Sequence, residues 1–179
     1  ELAILGLVNR YGADATAAYG AVNQIVNYVQ FPALSIAITA SILGAQFIGA
    51  GRADRLGALV KTGLLLNVLL TGALIVAGYL LSPWLLGFFL TSDPVRQMAE
   101  HLLHLMLWGS LVFGFQAVIA GVMRASGTVL IPVAISVGSI LMVQLPADNF
   151  LSARYGLDGV WLAYPVLFVN MLLLQIAFY

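Results

Sequence analysis

The sequence predicts an all-α integral membrane protein, and three observations lead to that fold class. First, the 179 residues are 62% hydrophobic and only 8% charged, whereas ordinary soluble domains are about 25% charged. Second, the charges sit in short clusters that separate long charge-free runs. Third, no run alternates as a β-strand does, and each exceeds the roughly 9–11 residues of a membrane barrel strand. Because backbone groups in lipid must pair with one another, these runs are expected to be helices.

Five charge-free windows are long enough to cross a bilayer, which takes about 20 apolar residues in a helix. The windows cover residues 15–51, 62–92, 101–123, 125–147 and 159–179. We therefore predict five full spans at about 18–48, 57–81, 98–123, 128–151 and 159–179, preceded by a truncated span at about 1–10. The first two windows exceed one straight crossing, so we expect loops at 16–20 and 82–92.

The chain start, ELAILGLVN, is expected to be the end of a helix in a longer protein. It lacks the basic region and the small-residue cleavage site of a signal peptide.

The stretch GAQFIGAGRADR at 44–55 indicates the topology. Gly49 and Gly51 can end a helix in the left-handed region, and two arginines follow at once. This side of the predicted bundle carries four basic residues and one acidic residue, whereas the other side carries three basic residues and most of the acids. The positive-inside rule then places the loops 49–55 and 124–128 in the cytoplasm.

A polar stripe runs along the first full span. Asn23, Asn27 and Gln30 fall within about 60° of one another on a helix, and Tyr19 extends the stripe. An amide in hydrocarbon is unfavourable unless it has a partner, so the stripe must face other helices or a cavity. Two interpretations remain open, packing between helices or the wall of a solute cavity. Gln116 and Tyr164 are further polar groups in the middle of spans and candidate lining residues.

Prolines in the spans suggest a bundle that bends. Pro32, Pro132 and Pro146 are the predicted bend points, because each removes an amide donor from its helix. A static kink that improves packing is the alternative for each of them.

Asp148 is a candidate functional residue, because an acidic side chain at membrane depth can bind a proton or a cation. The alternative is a carboxylate solvated among lipid headgroups, only six residues from Arg154. His101 and His104 share a helix face, but no third ligand is nearby, so no metal site is predicted.

Several classes of function are disfavoured. The sequence has no HExxH, GxSxG or Walker motif, so an enzyme is not expected, and no cofactor is predicted. There is no cysteine for thiol chemistry, and the net charge of zero gives no reason to expect a nucleic-acid partner.

Three segments carry a resemblance to a known family. AAYGAVNQIVNYVQFPALSIAITASILGAQFIGAGRADR resembles the eighth helix and the next loop of the multidrug and toxic compound extrusion (MATE) transporters. AGVMRASGTVLIPVAISV resembles the end of their tenth helix, and QLPADNFLSARYGLDGVWLAYP resembles the end of helix eleven and the start of helix twelve. The resemblance implies the C-terminal six-helix lobe, helices seven to twelve, of a twelve-helix antiporter, with the N-terminal lobe absent.

The resemblance also implies an activity. Such proteins lie in the cell membrane, here a bacterial inner membrane, and exchange organic, often cationic, compounds for Na⁺ or H⁺ by alternating access. The implied partners are membrane lipid, small organic cations and the chain's own N-terminal lobe. In one branch an acid in helix ten binds the coupling ion, but Phe113 occupies that position here. Glu1 lies too late to match the glutamate of helix seven, so the coupling site is expected in the N-terminal lobe.

Two alternatives to an exporter remain at this point. One is a flippase for lipid-linked precursors from the same superfamily, and the other is a membrane subunit that does not transport. No Lys or Arg lies in the interior of a span, which disfavours a site for a pyrophosphate.

Overall fold

The computed structural model describes residues 5, 6 and 8–178, and only the backbone at 157. Throughout this part of the chain the regular structure is helical, as predicted, and five helices are long and apolar enough to cross a membrane. Six α-helices follow one another in the order α1 Ala13–Gly49, α2 Leu56–Phe89, α3 Asp93–Ala125, α4 Leu130–Ser139, α5 Leu145–Tyr155 and α6 Leu157–Phe178. A π-helical segment, Ile140–Gln144, joins α4 to α5, and we call residues 130–155 the α4–α5 rod.

The loop predicted at 16–20 is wrong, and the loop predicted at 82–92 is reduced to residues 90–92. Helix α1 already runs through residues 16–20, and α2 continues to Phe89, about two turns beyond the predicted end at 81. Pro83 does not end α2, although it removes the amide that would bond to the Tyr79 carbonyl. The Ser82 hydroxyl donates to that carbonyl oxygen instead, at 3.2 Å. A neighbouring side chain thus satisfies the acceptor that the proline leaves free.

Half of the truncated span predicted at 1–10 lies outside the described residues, and Leu5, Gly6 and Val8 within it are helical. Of the positions that are described, Val8 is fully buried and joins the main apolar core. A short 3₁₀ turn at Asn9–Tyr11 then leads into α1.

Helix α3 is the centre of the bundle and packs against α1, α2 and α6. Three of its glycines allow the close approach, each toward a different helix. A Cβ at Gly121 would overlap the Ala37 carbonyl of α1, and one at Gly114 would overlap the Asn67 amide of α2. A Cβ at Gly109 would touch the Pro165 ring of α6. These contacts explain why small residues interrupt so apolar a helix.

A buried polar contact also joins α2 to α3. The Asn67 side chain is fully buried, and its Nδ2 donates to the Leu111 carbonyl oxygen at 3.2 Å. The Thr71 hydroxyl donates to Asn67 Oδ1 at 2.9 Å. Both ends of the amide therefore have partners inside the bundle, as an amide in an apolar environment requires.

The loops 49–55 and 124–128 lie at the same end of the bundle, because Gly44 near the end of α1 packs against Ala125 at the end of α3. Gly51 and Gly127 form the turns with φ of +71° and +83°, values that side-chain-bearing residues rarely adopt. Gly51, rather than Gly49, is the left-handed residue. That this shared end faces the cytoplasm remains a prediction.

Candidate functional site

A polar-walled cavity of about 210 Å³ lies between α1, the π-segment and α6. Helix α3 contributes one residue at its back. The lining residues are Asn23, Val26, Asn27, Gln30, Met106, Ile140, Gln144, Tyr164, Leu167 and Phe168.

The structure brings the predicted amide stripe of α1 to this cavity. Asn23, Asn27 and Gln30 all line it, as their spacing on one helix face predicts. Asn27 is solvent-exposed, and Asn23 and Gln30 are partly buried. The stripe therefore borders an open space rather than a fully packed helix interface. That these residues line a substrate path remains a prediction.

Tyr164 lines the cavity, and Tyr19 supports it from behind. The two hydroxyl oxygens are 2.8 Å apart, which makes a hydrogen bond between α1 and α6. The Tyr19 ring is buried and stacks on Trp161, with ring centroids 5.2 Å apart and the planes 12° from parallel. This stack and hydrogen bond set the position of the Tyr164 hydroxyl. Tyr19, which was predicted to line the cavity, is not among the residues that do so.

Gln144 is a lining residue that the sequence did not reveal. It ends the π-segment and is 4% exposed. Pro146, two residues later, has no amide hydrogen, so the carbonyl of residue 142 lacks its α-helical donor. A π-turn pairs a carbonyl with the amide five residues on, and here the Leu145 amide donates to the Ile140 carbonyl oxygen at the end of the π-segment. The glutamine two residues before a proline was the available signal.

The other predicted cavity and bend residues lie in different surroundings. Gln116 is buried in α3 and is not among the cavity's lining residues. Pro32 lies inside α1, which stays α-helical around it. Pro132 is in the first turn of α4, where an amide has no intrahelical partner. Pro146 follows the π-segment directly. Whether any of the three prolines acts as a bend point remains a prediction.

Asp148 is buried, not solvated as the alternative interpretation held. It is 2% exposed, and neither carboxylate oxygen has a hydrogen-bond partner among the described residues. It lies one turn beyond Gln144, so both residues are on the same side of the rod.

The two histidines have separate partners at the end of the bundle opposite the loops 49–55 and 124–128. His101 Nε2 is 3.4 Å from the Asp158 carboxylate, and His104 Nε2 is 3.3 Å from the Ser82 hydroxyl. The same hydroxyl is 3.0 Å from Glu100 Oε1, so its single hydrogen is shared between this carboxylate and the Tyr79 carbonyl. Over residues 5, 6 and 8–178, no three acidic, His or Cys side chains are grouped closely enough to hold a metal ion.

The chemistry of the cavity wall suits an amphipathic organic molecule. Four amide side chains and one phenol can exchange hydrogen bonds, while a ring, a thioether and aliphatic groups supply apolar contact. None of the described residues that line it is charged. A phosphate group would therefore find no cation in this wall.

Comparisons with known proteins agree with the helical architecture. The MatE family model matches residues 1–149. "Probable multidrug resistance protein YoeA" of Bacillus subtilis (strain 168) is 44% identical over 181 residues, which is 100% of this chain and 39% of that protein. "Probable multidrug resistance protein YpnP" of the same organism is 23% identical over 168 residues, or 94% of this chain and 38% of that protein. The chain thus spans well under half the length of these relatives. It belongs to the MATE family of membrane transporters.

Proposed function

We propose that the full-length protein containing this chain exports amphipathic organic compounds, many of them cationic, from bacterial cells. The observation that carries the proposal is the cavity between α1, the π-segment and α6, with its uncharged polar wall. The names of two relatives, each a "probable multidrug resistance protein", support the same kind of substrate.

The composition of the wall fits varied substrates. Met106 and Phe168 present polarisable and aromatic surface that can repack around different apolar shapes. Asn23, Asn27 and Gln30 offer both donors and acceptors, so they can bind polar groups of either kind. At about 210 Å³ the cavity is smaller than the roughly 300–1,000 Å³ of typical ligand sites. We expect the N-terminal lobe to supply the facing wall.

We further propose that transport is driven by an inward Na⁺ or H⁺ gradient through alternating access. Ion binding must favour one opening of the cavity over the other, because only a difference in affinity between two states can drive the exchange. The protein is then a multi-pass component of the bacterial inner membrane, with the loops 49–55 and 124–128 in the cytoplasm.

The alternatives fit the cavity less well. A flippase for lipid-linked precursors needs cationic groups for a pyrophosphate, and the described lining residues include no Lys or Arg. A subunit with only a structural role has no use for a polar cavity bordered by an exposed amide, that of Asn27.

Efflux of ethidium from cells that express the full-length protein tests the proposal. We expect cells with the protein to expel ethidium faster than cells without it, and the advantage to vanish when both the Na⁺ and the H⁺ gradients are collapsed. Equal efflux from both kinds of cell would reject the proposal.

Asn27→Leu tests the cavity assignment. The substitution removes an exposed amide from the wall and keeps the number of side-chain heavy atoms. We expect a roughly 3- to 10-fold loss of efflux, the equivalent of one hydrogen bond of about 0.5–1.5 kcal/mol. Expression should be unchanged. Gln24→Leu is the matched control, since Gln24 is an exposed amide of the same helix outside the cavity lining. Efflux that falls equally in both variants would contradict the assignment.

A further inference from the structure

Asp148 is the one acidic side chain among the described residues that is buried. It is 2% exposed, and both carboxylate oxygens lie out of contact with solvent and without a hydrogen-bond partner in the described part of the chain. All other described acids are at least partly exposed. This carboxyl group is therefore in a different environment from every other one described here.

None of the described charged or titratable groups around α5 makes a hydrogen bond or an ion pair with Asp148. On α6, the helix packed against α5, these groups are Asp158, which is exposed beside His101, and Tyr164, which is bonded to Tyr19. On α5 itself, Arg154 and Tyr155 are exposed. The segment before α1 contains Arg10 and Tyr11, also exposed, and across the cavity α1 contains Asp14, Tyr19 and Tyr28. The described salt bridges all involve other residues.

An ionised carboxylate without a partner is very unfavourable in an apolar interior, and such a group takes up a proton instead. A metal cation is a weaker explanation, because a hard cation requires several oxygen ligands. Across the described ranges, no cluster of acidic or His side chains surrounds this position. In the packing seen here, the neutral acid is the form that the surroundings favour.

The position of Asp148 connects it to the cavity. Gln144 lines the cavity, and Asp148 follows one turn later on the same helix face. Because Gln144 belongs to the π-segment, the backbone hydrogen bonds in this part of the rod are less regular than those of an α-helix. A small shift of the rod relative to α6 would bring the carboxyl group to the cavity and its water.

We propose that Asp148 binds the proton that is exchanged for the exported compound. In the packing seen here the carboxyl group holds the proton on one oxygen. When a solute enters the cavity and the rod shifts, the O–H bond breaks, the proton passes to cavity water, and the resulting carboxylate faces the cationic solute. This inference rests on the proposed function, and it places the coupling group in this lobe rather than in the N-terminal lobe.

Infrared difference spectroscopy of the full-length protein in lipid tests the proton directly, without reference to transport. We expect a protonated-carboxyl C=O band at neutral pH that shifts in D₂O, disappears in Asp148→Asn and weakens when ethidium is added. Asp158→Asn is the matched control and should keep the band, because the Asp158 carboxylate is exposed and paired with His101. Absence of the band in the wild type, or its persistence in Asp148→Asn, would overturn the proposal.

Transport in proteoliposomes then tests the coupling. With a pH gradient alone, we expect Asp148→Asn to lose uphill ethidium transport while still binding ethidium, and Asp148→Glu to retain transport with a shifted pH profile. Uphill transport by Asp148→Asn at the wild-type rate would overturn the proposal, as would a defect confined to Na⁺-driven transport. Wild-type protein that shows the infrared band but moves no ethidium would contradict the proposed function and leave the proton site established.

Discussion

Helix α3 and the α4–α5 rod are both apolar enough to cross a membrane, yet they are embedded very differently in the bundle. In the most apolar stretch of α3, 67% of the residues are buried, against 22% in that of the rod. Helix α3 packs on three neighbours, whereas the rod packs mainly on α6. The difference shows that hydrophobicity alone does not tell a central helix from a peripheral one.

The two regions also differ in regularity. Helix α3 is α-helical throughout its 33 residues, and its glycines meet the backbone or side chains of α1, α2 and α6. The rod, in contrast, is interrupted by the π-segment and Pro146. Its Gln144 side chain lines the cavity, and its Asp148 side chain is buried. Helix α3 is thus the scaffold of this lobe, and the rod is a less regular and less tightly packed wall.

The largest expected effect comes from Gly121→Ala in α3. The added methyl group would overlap the Ala37 carbonyl of α1, and backbone cannot move aside as a flexible side chain can. Overpacking of this kind destabilises by about 1–3 kcal/mol, so we expect a clearly lower melting temperature of the full-length protein in detergent.

Gly138→Ala in the rod is the matched control. A Cβ at Gly138 would have no neighbour within 4 Å, and alanine favours a helix by up to about 1 kcal/mol over glycine. Its melting temperature should be unchanged or higher. Equal destabilisation by both substitutions would break the distinction between scaffold and wall.

Pro146→Ala should affect efflux more than stability. The substitution restores an amide donor, which allows the π-segment to return to α-helical pairing and rotates Gln144 by roughly 100° out of the cavity wall. We expect efflux of ethidium to fall several-fold while the melting temperature stays the same or rises.

Pro132→Ala is the comparison for that result, because Pro132 lies in the first turn of α4, where the missing amide leaves no intrahelical carbonyl unpaired. Its efflux should match the wild type. Normal efflux by Pro146→Ala would show that the π-segment is only a packing feature.

A smaller effect is expected from Ser82→Ala, which weakens the contact between α2 and α3. The Ser82 hydroxyl has three partners within hydrogen-bond distance: the Glu100 carboxylate at 3.0 Å, the Tyr79 carbonyl at 3.2 Å and His104 Nε2 at 3.3 Å. Its loss should destabilise by about 0.5–1.5 kcal/mol, measured by thermal denaturation, with efflux unchanged.

Ser139→Ala gives the corresponding measurement in the rod, where the Ser139 hydroxyl accepts from Asn170 Nδ2 of α6 at 2.9 Å. The loss should be smaller than for Ser82→Ala. A larger loss would mean that the rod is held more firmly than the contact between α2 and α3.

Most of the helices could be predicted from the sequence because the exclusion of charge from hydrocarbon acts on each segment separately. The convergence of Asn23, Asn27 and Gln30 could be predicted for a similar reason, since their spacing determines a common face on any regular helix. The loop predicted at 82–92 is shortened to residues 90–92 because α2 continues through Pro83. There the Ser82 hydroxyl compensates the missing amide, and no rule based on proline alone includes that bond.

By itself, then, the sequence determined the all-helical membrane fold, the membrane-crossing segments and the polar face of α1. Each of these follows from the exclusion of charge from hydrocarbon or from residue spacing on a single helix. Only the tertiary structure decided that α3 is central, that Tyr19 lies behind Tyr164, that Gln144 reaches the cavity and that Asp148 is buried. The physical reason is that burial and hydrogen-bond pairing depend on which helices pack together, and residues far apart in the chain supply those neighbours.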